Sequence, residues 1–140
     1  MNRIGIIGAM ELEVEELKSQ MEEVTVKEKA SMEFYQGTLN GKEVVVVRSG
    51  IGKVNAAVCT QILVDDFQVE AVINTGIAGS LKAEINIGDI VVSTDALQHD
   101  MDAREFGYPK GQIPQMNVFS FKADETLRKV AAECLSLIHI

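Results

Sequence analysis

A carboxylate just behind a glycine turn, followed further on by two small glycine-bearing loops, is the part of this chain best suited to chemistry. Gly8-Ala9 turns the chain out of the apolar run Ile4-Gly5-Ile6-Ile7, and Glu11, Glu13, Glu15 and Glu16 follow at once. An amphipathic helix starting at Met10 would set its apolar stripe on Met10, Val14, Leu17 and Met21. Glu11, Glu15 and Glu16 then fall on the solvated side, as surface acids favoured near a helix amino end. Glu13 lies three after Met10 and four before Leu17, so it borders the stripe. A carboxylate turned inward is costly unless it is hydrogen-bonded or functional, which marks Glu13 as the candidate functional acid.

The two loops each follow an apolar run. Ser49-Gly50-Ile51-Gly52-Lys53 comes after Val44-Val45-Val46-Val47, and Asn74-Thr75-Gly76-Ile77-Ala78-Gly79-Ser80-Leu81 comes after Ala71-Val72-Ile73. Loops at the carboxyl ends of buried strands are where open α/β sheets bind ligands. Glycine there lets a ligand approach bare backbone, although the same residues also suit a plain tight turn. A dinucleotide site is disfavoured: Gly5-Ile6-Ile7-Gly8 is not G-x-G-x-x-G, and the glutamates would repel a pyrophosphate. Around His99, Asp100 and Asp102 there is one imidazole and no second imidazole or thiolate, so no metal and no other cofactor is expected.

Elements must position these residues. Residues 3–7 read as a strand, and 24–29 and 32–39 as alternating strands. Asn40-Gly41 is a two-residue hairpin turn, and 42–48 a central strand apolar on both faces. A helix is expected over 54–67, then strands at 69–74, 90–96 and 117–121. A final helix is expected over 123–134, with Leu127, Val130, Ala131 and Cys134 inward and Asp124 as its cap. Buried parallel strands separated by helices predict an α/β fold with a central mixed, twisted sheet, in a single domain over 1–140. The aromatic and proline segment from Phe106 to Pro114 reads as a long functional or interface loop.

The net charge is −8 in 140 residues, which argues against a nucleic-acid or membrane-surface partner. Cys59 and Cys134, unpaired in spacing, read as core thiols of a reducing compartment. With no signal peptide and no apolar run of spanning length, a cytoplasmic location is the expectation.

Five motifs taken together carry a resemblance. They are Gly5-Ile6-Ile7-Gly8-Ala9-Met10-Glu11-Leu12-Glu13; Ser49-Gly50-Ile51-Gly52-Lys53-Val54-Asn55-Ala56-Ala57; Asn74-Thr75-Gly76-Ile77-Ala78-Gly79; Asn86-Ile87-Gly88-Asp89-Ile90-Val91; and His99-Asp100-Met101-Asp102 with Phe106-Gly107-Tyr108. In order and spacing the chain resembles the amino-terminal part of the bacterial 5′-methylthioadenosine/S-adenosylhomocysteine nucleosidases, of the nucleoside phosphorylase-like fold. The resemblance implies hydrolysis of the N-glycosidic bond to adenine and a thioribose, a step of methionine salvage and methyl-cycle recycling. It implies that Glu13 orients and deprotonates the attacking water. Ala9, Met10 and Ile51 match positions lining the nucleoside and water site, as do Ile77, Ala78 and Gly79. Phe106 and Pro114 match residues that reach over the 5′-alkylthio group in the neighbouring subunit of a homodimer. Ile77 stands where many relatives carry serine, so a hydroxyl contact is missing there. The family's aspartate acid and its Met-Glu ribose clamp have no match in the chain, which implies an inactive amino-terminal fragment of an active enzyme.

The residues themselves agree with hydrolysis. Glycosidic cleavage needs an acid for the leaving group and a base for water. An anionic phosphate nucleophile would want arginines, and residues 8–16 contain none. A futalosine-type nucleosidase of the same fold and a non-catalytic binding or dimerisation module are the other readings.

Overall fold

The computed structural model describes residues 2–136. The chain falls into two compact units, Met1–Leu81 and Lys82–Ile140. The first is built on five strands: β1 (Arg3–Gly8), β2 (Glu22–Lys29), β3 (Met32–Leu39), β4 (Lys42–Arg48) and β5 (Ala71–Asn74), in the spatial order β2-β3-β4-β1-β5. β1 runs parallel to both β4 and β5, while β2, β3 and β4 are antiparallel neighbours, so the sheet is mixed as expected. Val44–Val47 are buried because β4 lies between β3 and β1 and both sheet faces are covered. Val45 and Val47 pack with Cys59, Ile62, Leu63 and Phe67 of helix α2 (Lys53–Phe67). Val44 and Val46 point the other way, toward Val14 and Met21. The period of two along β4 thus feeds two cores at once.

Leu63 is fully buried in the first core. Leu63→Ala is expected to cost about 3 kcal/mol, from lost transfer energy plus the cavity left behind. In the full-length protein this reads as a lower denaturant midpoint at unchanged slope.

Asn40 and Gly41 both have positive φ, 49° and 73°, the requirement of the two-residue turn expected there. α2 ends on Gln68 in the left-handed region, and Asp66 near its end accepts from Lys27 and Lys29 of β2, at 2.9 Å and 2.9–3.0 Å. These bonds hold the Asp66 carboxyl below its ordinary range. Burial pushes the Cys59 thiol up to about 11, so it stays protonated and inert.

Several expectations need correction. The helix expected from Met10 is instead a single 3₁₀ turn, Glu11–Glu13, followed by the short helix α1 (Glu15–Ser19). β5 is an edge strand, paired only with β1 among the described residues, so Ile73 is 38% exposed rather than enclosed. In the second unit, the strand expected over 90–96 shrinks to β6 (Asp95–Ala96), paired with β7 (Phe121–Lys122). Ile90 and Val91 are exposed, because no described strand pairs with them. Helix α3 (Glu125–Ser136) begins where expected, and Asp124 accepts the Leu127 N–H at 2.8 Å as its cap. Its apolar face is only partly covered: Leu127 and Ala131 are half-buried, Val130 and Cys134 exposed. No helix of the described residues is long and apolar enough to cross a membrane.

Candidate active site

Parallel pairing brings three strand ends to one edge of the first unit's sheet. Gly8 of β1 is opposite Arg48 of β4, and Ile7 is opposite Asn74 of β5. The loops after these residues leave the sheet side by side and are tied at their roots. The Ser49 N–H donates to the Gly8 carbonyl and the Thr75 N–H to the Ile7 carbonyl, both at 2.9 Å. The Ser49 side chain is buried, and its hydroxyl donates to the Gly50 carbonyl at 2.9 Å.

Glu13 sits among these loops. Met10 is extended, and the Glu13 N–H donates to the Met10 carbonyl at 3.1 Å to close the 3₁₀ turn. The side chain then folds back on the turn. Oε2 accepts the N–H groups of Ala9 at 2.7 Å and Met10 at 2.9 Å, and Oε1 accepts the Ile77 N–H at 3.0 Å. An ionised carboxylate offers about four lone-pair sites, so the backbone takes three and one on Oε1 remains. The Met10 N–H, then those of Ile77 and Ala9, hold the Glu13 carboxyl below its ordinary value against the opposing pull of burial. Sequence reasoning leaves that sign open, because burial and the helix end oppose each other; the three amides decide it.

The glycines around this carboxylate are spatial requirements. A Cβ on Gly76 would lie 2.7 Å from Glu13 Cδ, and φ there is +151°. A Cβ on Gly8 would meet Val14 Cγ1 at 2.7 Å and Glu13 Cβ at 3.0 Å. The bare backbone at Gly76, expected to receive a ligand, receives the protein's own carboxylate.

Ala9, Met10, Glu13 and Ile77 are therefore brought together, through backbone amides rather than side chains. The Ile77 side chain is 83% exposed, and Ala78 and Gly79 are exposed beside it. Ile51 is exposed on the neighbouring loop, where its carbonyl accepts from Asn55 Nδ2 at 2.8 Å. Phe106 and Pro114 belong to the second unit. Phe106 ends a 3₁₀ turn, Arg104–Phe106, with its ring 83% exposed, and Pro114 is half-buried. Arg104, which opens that turn, donates to both oxygens of Asp102 just before it, at 2.8 and 2.6 Å, and draws the Asp102 carboxyl down to about 2. Asp102 thus serves a guanidinium.

Two residues of the site, Ser49 and Arg48, give no signal in the sequence, whereas Gly76 stands out there as bare backbone and in the fold makes room for Glu13. Ser49 reads only as a loop residue. Arg48 lies at the end of β4, outside residues 8–16, and its Nε lies 3.6 Å from Glu11 Oε2. Its strand-end position is a signal that only pairing β4 with β1 reveals.

The first unit is a mixed α/β sheet that presents an amide-held carboxylate at the carboxyl ends of its parallel strands, where open α/β sheets bind ligands. The chain belongs to the phosphorylase superfamily, whose family model matches residues 3–138. It is 47% identical, over its whole length, to a 5′-methylthioadenosine/S-adenosylhomocysteine nucleosidase of Halalkalibacterium halodurans, of which it covers 60%. A Neisseria meningitidis nucleosidase of that name, solved in complex with methylthio-immucillin-A, superposes with a TM-score of 0.95 at 40% identity, covering 99% of this chain and 60% of that one. A futalosine hydrolase mutant of Helicobacter pylori superposes at 0.91 and 32% identity, covering 100% of this chain and 61% of that one. The chain thus spans about three fifths of the length of these relatives.

Proposed function

We propose that this chain is the amino-terminal part of a 5′-methylthioadenosine/S-adenosylhomocysteine nucleosidase. The longer protein hydrolyses the N-glycosidic bond of either thionucleoside to adenine and the thioribose product. Its two units belong to one cytoplasmic nucleosidase domain. The observation that carries this reading is Glu13, whose carboxylate is fixed by the amides of Ala9, Met10 and Ile77 with one Oε1 lone pair left over. That lone pair accepts a proton of the attacking water, and the depressed pKa keeps the base ionised at neutral pH. Ala9, Met10, Ile51, Ile77, Ala78 and Gly79 line the nucleoside and water site. The same carboxylate disfavours phosphate as nucleophile, and the nearby Arg48 already faces the charge of Glu11.

The test is adenine release by the full-length protein from a panel of nucleosides. Turnover of both thionucleosides without phosphate is expected. A requirement for phosphate, or preference for a futalosine-type nucleoside, overturns the reading. The 140-residue chain alone is expected to release no adenine above background, since the leaving-group acid and ribose clamp belong to the longer protein. Clear turnover by the purified chain would show that those groups lie within it.

Phe106 and Pro114 act in trans over the 5′-alkylthio group of a homodimer, a role supported by an exposed ring on a short turn. Aromatic residues presented this way suit an interface. Sedimentation of the full-length protein is expected to show a dimer; an active monomer at assay concentration would remove this part of the proposal.

A further inference from the structure

We propose that Glu11 is a positioning residue for Glu13: through Lys18 and Arg48 it braces the turn that holds the base. This rests on the reading of Glu13 as the base. Sequence alone puts Glu11 among the surface acids, yet its two oxygens face different elements. Oε1 accepts from Lys18 Nζ of α1 at 2.7 Å, and Oε2 lies 3.6 Å from Arg48 Nε at the end of β4. Lys18 is itself held, with its side chain only 10% exposed and its ammonium 4.3 Å from the centroid of the Tyr35 ring on β3. Glu11 therefore links the turn to a helix, and to a strand end and a strand face of the sheet.

The turn needs such a link. It is one 3₁₀ turn of three residues, none of them buried, and Leu12 at its middle is 79% exposed. A short 3₁₀ turn has poor hydrogen-bond geometry and little intrinsic stability. The core grips the chain on either side, at the buried Gly8 of β1 and the fully buried Val14, and leaves the turn itself outside. Glu13's own bonds to Ala9 and Met10 close the turn on itself without tying it to the sheet, and its bond to Ile77 reaches another loop. Glu11 supplies the anchorage to α1 and β4. Small misplacements of a catalytic group are costly, so a link two residues away bears on the rate.

The test is steady-state adenine release from methylthioadenosine by the full-length protein, its Glu11→Gln and Arg48→Gln variants and the double variant. Turnover by the unsubstituted protein tests the reading of the site; the ratios among variants test the brace. Glu11→Gln is expected to lower kcat about tenfold while KM stays within about twofold. Arg48→Gln should lower it less, because Lys18 still holds the carboxylate. The double variant should be no slower than Glu11→Gln, since Arg48 acts on the turn only through Glu11. The acid limb of kcat/KM gives a sign. Loosened amides raise the pKa of Glu13, whereas mere removal of a neighbouring negative charge lowers it. An acid limb shifted upward supports the brace. An unchanged kcat, a limb that stays or moves down, or additive losses in the double variant would overturn it. Should Glu11→Gln fail to fold, Arg48→Gln and Lys18→Gln carry the test through kcat against KM, because losing a neighbouring positive charge raises the Glu13 pKa by itself: a lowered kcat at unchanged KM supports the brace, and an unchanged kcat overturns it.

Discussion

Glu13→Gln in the full-length protein is expected to lower kcat by about 10²–10⁴, the usual worth of a positioned general base. Glutamine keeps the length of the side chain but cannot take a proton from water. It also cannot reproduce the bonding. Glu13 accepts N–H groups on both oxygens, two on Oε2 and one on Oε1. Glutamine has one carbonyl oxygen, so its amide nitrogen must confront either Ile77 or the Ala9–Met10 pair, donor against donor. A loss of stability should therefore accompany the loss of rate. Its pH dependence has a definite sign. The folded pKa of Glu13 lies below the ordinary value of 4.5, so the ionised form contributes stability that is present above that value. The contribution disappears as pH falls through the lower, folded pKa. Thermal midpoints of the two proteins should differ most above pH 5 and converge in stronger acid. Glu15→Gln, on the exposed face of α1, should change neither rate nor midpoint. KM should hold in Glu13→Gln, because a base acts on the water in the transition state rather than on substrate binding. A kcat equal to that of Glu15→Gln would leave the mechanism without its base.

Much of the scaffold is legible in the sequence because one kind of force shapes it. Four consecutive valines at 44–47 can only be a strand buried on both faces, and Asn40-Gly41 can only be a tight turn with positive φ. The stripe of Val14 and Met21 also holds, although the turn before it is 3₁₀. Legibility fails where the partner lies far along the chain. Residues 90–92 look like a buried strand because they are apolar, yet pairing decides strands and no described strand pairs with them. Glu11 is exposed, as its place off the stripe implies, but its pairing with Arg48 is invisible to a helix wheel because Arg48 arrives from β4. For Glu13, the spacing identifies an acid bordering the interior. That its partners are backbone amides, one of them sixty-four residues away on Ile77, depends on β1 lying beside β5.

The same long-range packing makes Gly76→Ala the most informative substitution outside the carboxylate itself. A methyl group there would lie 2.7 Å from Glu13 Cδ, closer than such contacts allow, and at a φ of +151° that side chains disfavour. Two relaxations are open. Either Glu13 swings away from the amides of Ala9 and Met10, or the loop retreats and takes the Ile77 N–H with it. Each displaces the base from its bonds by something approaching an ångström, and a misplacement of that size costs about 10²-fold in rate. Gly76→Ala should therefore lower kcat by about two orders of magnitude although it removes no catalytic atom. Losing one or more of the three N–H bonds also raises the Glu13 pKa toward its ordinary value, so the acid limb of kcat/KM should move up. The two substitutions act through one group, so Gly76→Ala should add nothing to Glu13→Gln. Additive losses would mean that Gly76 serves the loop for a reason of its own. A Gly76→Ala enzyme with ordinary kcat would mean that the carboxylate need not stay against the Ile77 amide for the reaction to proceed.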